Sequence, residues 1–445
     1  MTLLNSIADA DLSVEVNKSS IACKNFIGFG NEWDSRAYSQ NQISDIDYKI
    51  IGERIKWMRL PIVRIMIIGN MCYKGKGVFD FETKDMKSLY KNLDICQQLG
   101  IDVILTDWGC QSEWLKVPEV KSPADKKYAE VIATYTDFLI NKRKYSCIKY
   151  LVMINEPNLY PISGQWNKWR TGIKNLSVEL KKRKLDKKII LTGSDESCGD
   201  EWHYKTVDEL KNYFGAYDVH KYANDANVKI GKLYDYFHTL KNYAIKNDAK
   251  AKYKPFIVGE AGLNDFANHP FGNEKINSVY YGVFMADYAA QAANAGCDAV
   301  LAWMLDDNSH QGFYWGLWSN KNKGMNLRPW FFTWSLLVKY FPKGSVIYKV
   351  KQPTKSIRVL AAEFKNNKRE REWTFCIINR SSEKERIKIK LSDFSELKMK
   401  KFIFNEKNRK TDKNGFPLPV KNEKINLGNG VVCPANSVVL MTTAD

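Results

Sequence analysis

Short apolar runs that break off in polar turns alternate along this chain with longer segments whose apolar residues recur every three or four positions. The short runs predict buried strands and the longer segments predict amphipathic helices. The clearest run is Leu151-Val152-Met153-Ile154, closed abruptly by Asn155-Glu156-Pro157. About a hundred residues later the same grammar returns as Phe256-Ile257-Val258-Gly259, closed by Glu260.

Further runs fit the series. The first barrel strand is read around Phe26–Gly30, ending in Asn31-Glu32-Trp33-Asp34. Others are read at 61–68, 101–108, 188–195, 216–222 and 299–305, with helices at 45–58, 83–99, 124–143, 167–184, 204–213, 229–248, 279–295 and 329–341. Eight strands alternating with helices over some three hundred residues predict a (β/α)8 TIM barrel, an α/β fold, in preference to a doubly wound sheet. In such a barrel Glu156 and Glu260 face each other across the mouth at the carboxyl ends of the strands.

After Pro342 the texture changes. Runs at 345–350, 357–362, 373–378, 387–391, 431–432 and 437–441 are short, β-branched and separated by polar turns, which predicts a smaller antiparallel β-sandwich domain. Residues 12–22 alternate like a half-exposed strand. The predicted division is therefore an N-terminal strand in 1–22 that joins the sandwich, a catalytic barrel over 23–341, and a sandwich over 342–445.

Charge changes this picture little. Of the formal net charge of +18, residues 342–445 carry 23 Lys and Arg against 11 Asp and Glu. Dispersed along alternating strands, that excess reads as a solvated face, so no nucleic-acid partner is expected, and a polyanion contact through the basic C-terminal domain is kept as a secondary reading. The nine cysteines show no paired spacing and no CxxC, which argues for buried thiols and against a disulfide framework or metal site. No membrane span is present. Residues 1–20 lack the order of a secretion signal, which leaves a cytoplasmic chain or a secreted or cell-surface chain whose signal was removed.

Reading the strand ends in order gives Glu32 and Trp33, Arg64, Asp107 and Trp108, Asn155 and Glu156, Asp195, His220 and Tyr222, Glu260 and Trp303. Taken singly, each has an ordinary reading: Arg64 as a salt bridge at the barrel bottom, Tyr222 and Trp303 as core, His220 as a satisfied buried histidine. Together the set is polar, aromatic and doubly acidic. Two facing carboxylates are the minimum machinery for cleaving a glycosidic bond.

Arg64, Asn155-Glu156-Pro157, His220-x-Tyr222, Glu260 and Trp303, in this order and spacing, resemble the retaining glycoside hydrolases of clan A over roughly residues 25–340. The chain departs from family five of that clan at the third strand end, where Asp107-Trp108 stands in place of a histidine. The resemblance implies a carbohydrate substrate, Glu156 as acid/base and Glu260 as nucleophile. It implies substrate-binding roles for Arg64, Asn155, His220, Tyr222 and Trp303, to which the strand-end reading adds Trp108, Glu32 and Trp33. Trp114, Trp166, Trp202, Trp315 and Trp318 are further candidates for sugar platforms. Asp306-Asp307-Asn308 with His310 reads as a hydrogen-bonding loop, and neither a catalytic metal nor a cofactor is expected. The rival reading is a non-catalytic carbohydrate-binding protein on a barrel scaffold.

Overall fold

A computed structural model describes residues 12–108, 119–159, 165–264, 272–310, 312–391 and 396–445. Trp114 and Cys110 lie outside the described residues.

The chain begins with β1 (Leu12–Val16) and β2 (Ile21–Phe26), then enters the barrel with β3 (Gly28–Glu32), α1 (Asp45–Met58) and β4 (Ile62–Ile67). A hairpin of β5 (Tyr73–Gly75) and β6 (Val78–Phe79) decorates the next loop. The series continues through α2 (Lys84–Leu99), β7 (Asp102–Asp107), α3 (Lys126–Asp137), β8 (Ile148–Val152), α4 (Trp166–Lys182) and β9 (Ile190–Glu196). It then runs through α5 (Glu201–Lys205), β10 (Ala216–Ala223), α6 (Asp225–Lys229), α7 (Lys232–Asn247) and β11 (Phe256–Leu263). Finally α8 (Val279–Asn294), β12 (Ala299–Ala302) and α9 (Pro329–Tyr340) complete it. Strands β3, β4 and β7 to β12 pair in parallel and close into a barrel, β12 returning to β3 with Ala299 opposite Gly28.

Gly28 shows why the first barrel strand starts where it does. Its φ of 135° suits glycine alone, and a Cβ there would stand 2.4 Å from Pro61 Cγ. That kink separates Phe26, which belongs to β2, from the barrel, whereas the sequence pattern joined Phe26 to the first barrel strand. The expected single strand over 12–22 is likewise two strands in two different sheets.

The C-terminal strands are β13 (Ser345–Tyr348), β14 (Ile357–Lys365), β15 (Arg371–Asn379), β16 (Glu385–Leu391), β17 (Glu396–Phe404), β18 (Lys421–Asn426), β19 (Val431–Cys433) and β20 (Ser437–Thr442). Seven strands run in the order β18-β17-β20-β15-β14-β13-β2, and three in the order β1-β16-β19. The pairing of β1 with β16 is parallel, an exception in an otherwise antiparallel pair of sheets.

Strand β14 shows how the seven-stranded sheet is buried on both faces. Val359 and Ala361 point into the core shared with the three-stranded sheet, while Leu360 and Ala362 join the large core beneath the helices. Helix α8 lies within that large core and is buried on nearly every side, which explains its run of alanines and its lack of an exposed polar face. On it, Asp287 stands 3.3 Å from Arg358 and 3.6 Å from Arg380 of the sheet strands. No described helix is long and apolar enough to cross a membrane.

Candidate active site

The apolar run that begins in β8 is wholly inside, and Asn155 N–H donates to Asp107 O at 2.9 Å, which carries the strand line three residues past Val152. Glu156 then turns out with φ 43°, a left-handed backbone that costs a non-glycine residue about 1–2 kcal/mol. Its N–H donates to Asp195 Oδ2 at 3.2 Å, so the strained residue is held from β9.

Arg64, buried completely on β4, is the hub. Its guanidinium donates to Glu260 Oε1 at 2.7 Å, to Asn155 Oδ1 at 2.7 Å, and to both oxygens of Asp195 at 3.3 and 3.0 Å. Tyr222 donates its hydroxyl proton to Glu260 Oε2 at 2.7 Å, so both oxygens of Glu260 are held. Because Arg64 takes Asn155 Oδ1, the orientation of that amide is fixed.

His220 lies between acids. Nδ1 is 2.9 Å from Glu156 Oε1 and 3.6 Å from Glu260 Oε1, and Nε2 is 3.1 Å from Asp195 Oδ1. Burial opposes a charge on the ring, but Glu260 and Asp195 together outweigh it and raise the imidazole well above its ordinary value. For Asp195 the burial cost is likewise overcome, by Arg64 and His220, and its carboxyl is lowered. Burial lifts Glu260; His220, Arg64 and Tyr222 pull the other way, while the charge of Glu156 adds to the rise. Asp218 is raised well above the usual range by burial and by its negative neighbour Asp195, which favours its neutral form.

Six of the predicted residues, Arg64, Asn155, Glu156, His220, Tyr222 and Glu260, thus form one connected network. Trp303 and Trp108 stand together beside it in an apolar patch with Met66, Met304, Tyr222, Phe313 and Trp315. Glu32, fully buried on β3, is raised well above the usual carboxyl range, chiefly by burial and then by Glu260. Trp33 is not brought to the cluster. It is fully buried, with its indole N–H donating to Tyr38 Oη at 2.7 Å, because the chain past Glu32 turns it into the core.

The other tryptophans divide. Trp315 edges onto Tyr222 at 6.0 Å between centroids and so borders the mouth. Trp166 and Trp202 instead pack with Trp169 between α4 and α5, and Trp318 is fully buried, its N–H on Asp306. Asp107 turns to α3, accepting from Tyr128 and Tyr135 at 2.9 and 2.7 Å. In the loop after β12, Asp306 accepts from Asn308 and Ser309, and Asp307 from Trp315, Gly316 and Arg328, whereas His310 Nε2 has no hydrogen-bond partner among the described residues.

Two residues of the network were passed over as site residues. Asp195 was visible at the end of β9, and Asp218 lies two residues before His220, so the period of a strand signals that acid, histidine and Tyr222 share a face. Three groups of side chains have the donor atoms and spacing for a metal ion: Glu156, His220 and Glu260; Asp195, Asp218 and His220; and Glu32, Asp34 and His310. The first two are accounted for largely by the network above. The eight described cysteines are all free, and all but Cys198 are buried.

No protein-family profile matches the chain. No curated protein matches it either. Solved structures do. A family 30 subfamily 8 xylanase, Xyn30A, from Clostridium acetobutylicum superimposes with a TM-score of 0.65 at 14% identity, covering 97% of this chain and 99% of that one. The catalytic domain of a family 30 xylanase C from Talaromyces cellulolyticus gives 0.68 at 13%, covering 97% and 100%. A monomeric β-xylosidase from Caulobacter crescentus gives 0.65 at 12%, covering 97% and 99%. The likeness is one of fold. It extends over both the barrel and the C-terminal sheets, an arrangement this chain shares with those two xylanases and that β-xylosidase.

Proposed function

We propose that this chain is a retaining glycoside hydrolase that cleaves β-glycosidic bonds of a polysaccharide or oligosaccharide by double displacement. The observation that carries the reading is the proximity of its two carboxylates: an oxygen of Glu156, an oxygen of Glu260 and a ring nitrogen of His220 lie within 4.8 Å of one another. Retaining sites hold their carboxyl groups about 5–5.5 Å apart, while inverting sites leave about 6.5–9.5 Å for a water.

Glu260 attacks the anomeric carbon. The hydrogen bonds from Arg64 and Tyr222 aim it and favour its ionised form, offsetting the burial that opposes it. Glu156 protonates the departing oxygen. A single proton in its 2.9 Å contact with His220 Nδ1 serves that step, residing on imidazole or carboxyl as the reaction demands. Once Glu260 is bonded to sugar its negative charge is gone, and Glu156 becomes the base that activates water. Asn155, oriented by Arg64, hydrogen-bonds the sugar 2-hydroxyl, and Trp303 with Trp108 supplies the flat apolar wall.

Xylan and aryl β-xylosides head the substrate panel, because the structurally similar proteins include xylanases and a β-xylosidase. The test has two arms. Proton NMR of the first-formed sugar should show the anomer of the substrate; the opposite anomer rules out double displacement. Glu260→Gln should abolish turnover, and Glu156→Gln should slow substrates with poor leaving groups far more than activated aryl glycosides. Wild-type rates in both variants would remove the enzymatic reading.

A further inference from the structure

Glu32 at the end of β3, Asp34 two residues beyond it, and His310 in the loop after β12 converge outside the network that holds Glu156 and Glu260. One donor atom of each lies within 4.8 Å of the others. His310 Nε2 is 3.3 Å from Asp34 Oδ2 and 3.8 Å from Glu32 Oε1. Glu32 and Asp34 are 0% exposed and His310 is 6% exposed. Among the described residues, neither oxygen of Glu32, nor Asp34 Oδ2, nor His310 Nε2 has a hydrogen-bond partner.

Asp34 Oδ1 accepts from Arg36 N–H at 3.1 Å, but the other three carboxylate oxygens are buried without a hydrogen bond, which is costly unless something offsets them. A water or a sugar hydroxyl needs water-sized space beside them, and the two acids expose none. A bare cation needs less. Ligand atoms about 2.0–2.2 Å from a tetrahedral zinc ion stand about 3.3–3.6 Å from each other, close to the 3.3 and 3.8 Å found here. One imidazole with two carboxylates suits a first-row transition ion, whereas calcium takes six to eight oxygens.

We propose that Glu32, Asp34 and His310 bind a single divalent transition-metal ion of the zinc type. Burial drives both groups toward their neutral forms, lifting the Asp34 carboxyl to about 7 and pulling the His310 imidazole down to about 4. The ion ties the loop after β3 to the loop after β12. It also compensates Glu32, which lies in the field of Glu260. Binding at this triad does not depend on turnover at Glu156 and Glu260.

The full chain is stripped with a chelator, equilibrated with zinc chloride, desalted, and measured for bound metal and thermal stability. About one zinc per chain and a Tm rise of about 3 °C or more are expected, both lost in Asp34→Asn and His310→Ala. Asp34→Asn keeps the shape of the side chain and decides the matter where the alanine variant fails to fold. A wild-type chain that retains no zinc overturns the site, and so does a folded Asp34→Asn variant that retains as much zinc as the wild type.

Discussion

Nδ1 of His220 stands 2.9 Å from Oε1 of Glu156. With Nε2 also facing a carboxylate, that of Asp195 at 3.1 Å, the ring donates on both sides only as imidazolium. His220→Asn should therefore act through proton delivery. We expect kcat/KM to fall about a hundredfold for substrates with poor leaving groups and much less for nitrophenyl glycosides. A leaving-group series measured on both proteins checks this, and an equal loss across the series would place His220 in substrate binding.

Tyr222→Phe removes one of the two hydrogen bonds on the Glu260 oxygens while keeping the ring. The expected loss in kcat is about ten- to a hundredfold, with the melting temperature nearly unchanged. Steady-state kinetics beside a thermal melt separates this from a folding defect.

Gly259 precedes the proposed nucleophile, and a Cβ there would stand 2.5 Å from Asp218 Oδ1 and 2.7 Å from Oδ2. Gly259→Ala should destabilise the protein by about 1–3 kcal/mol and displace Glu260, with activity falling further than stability accounts for. Denaturant unfolding and turnover measured on the same sample check both parts.

His203, buried on α5 with Nε2 3.0 Å from Leu240 O, gives a pH prediction. Burial lowers its imidazole from 6.5 to about 4. Between those values the unfolded chain takes up a proton that the native ring refuses, so the stabilisation is complete above about 6.5 and fades as pH falls. We expect a loss on the order of 2 kcal/mol between pH 7.5 and pH 5. The difference in unfolding free energy between wild type and His203→Gln, followed over that range, should shrink by that amount; a constant difference would contradict it.

The barrel was legible because each strand buries a continuous apolar run and each helix a stripe, and because glutamates at the ends of such runs stand out. Strand β18, Lys421–Asn426, escaped because it is an exposed sheet edge with hardly any apolar face. The neighbouring β17 mixes lysines with its apolar residues and blurs the alternation. The parallel pairing of β1 with β16 had no local turn to announce it. In the site, Arg64, Asn155, Glu156, His220, Tyr222 and Glu260 lie on or just past barrel strands, where order and spacing carry information. Trp33 was misplaced because a run ending in polar residues does not say which way the next side chain turns. Asp34 with His310 was invisible as a pair because only closure of β12 onto β3 brings the two loops together.

The first described strand, β1, pairs with β16, and β2 pairs with β13. During synthesis both therefore leave the ribosome long before their partners exist. The nascent chain carries two orphan strands through the whole making of the barrel, and the C-terminal sheets can close only after β13 and β16 have emerged. A chaperone that shields β-prone segments would find its target here in β1 and β2, ahead of the barrel.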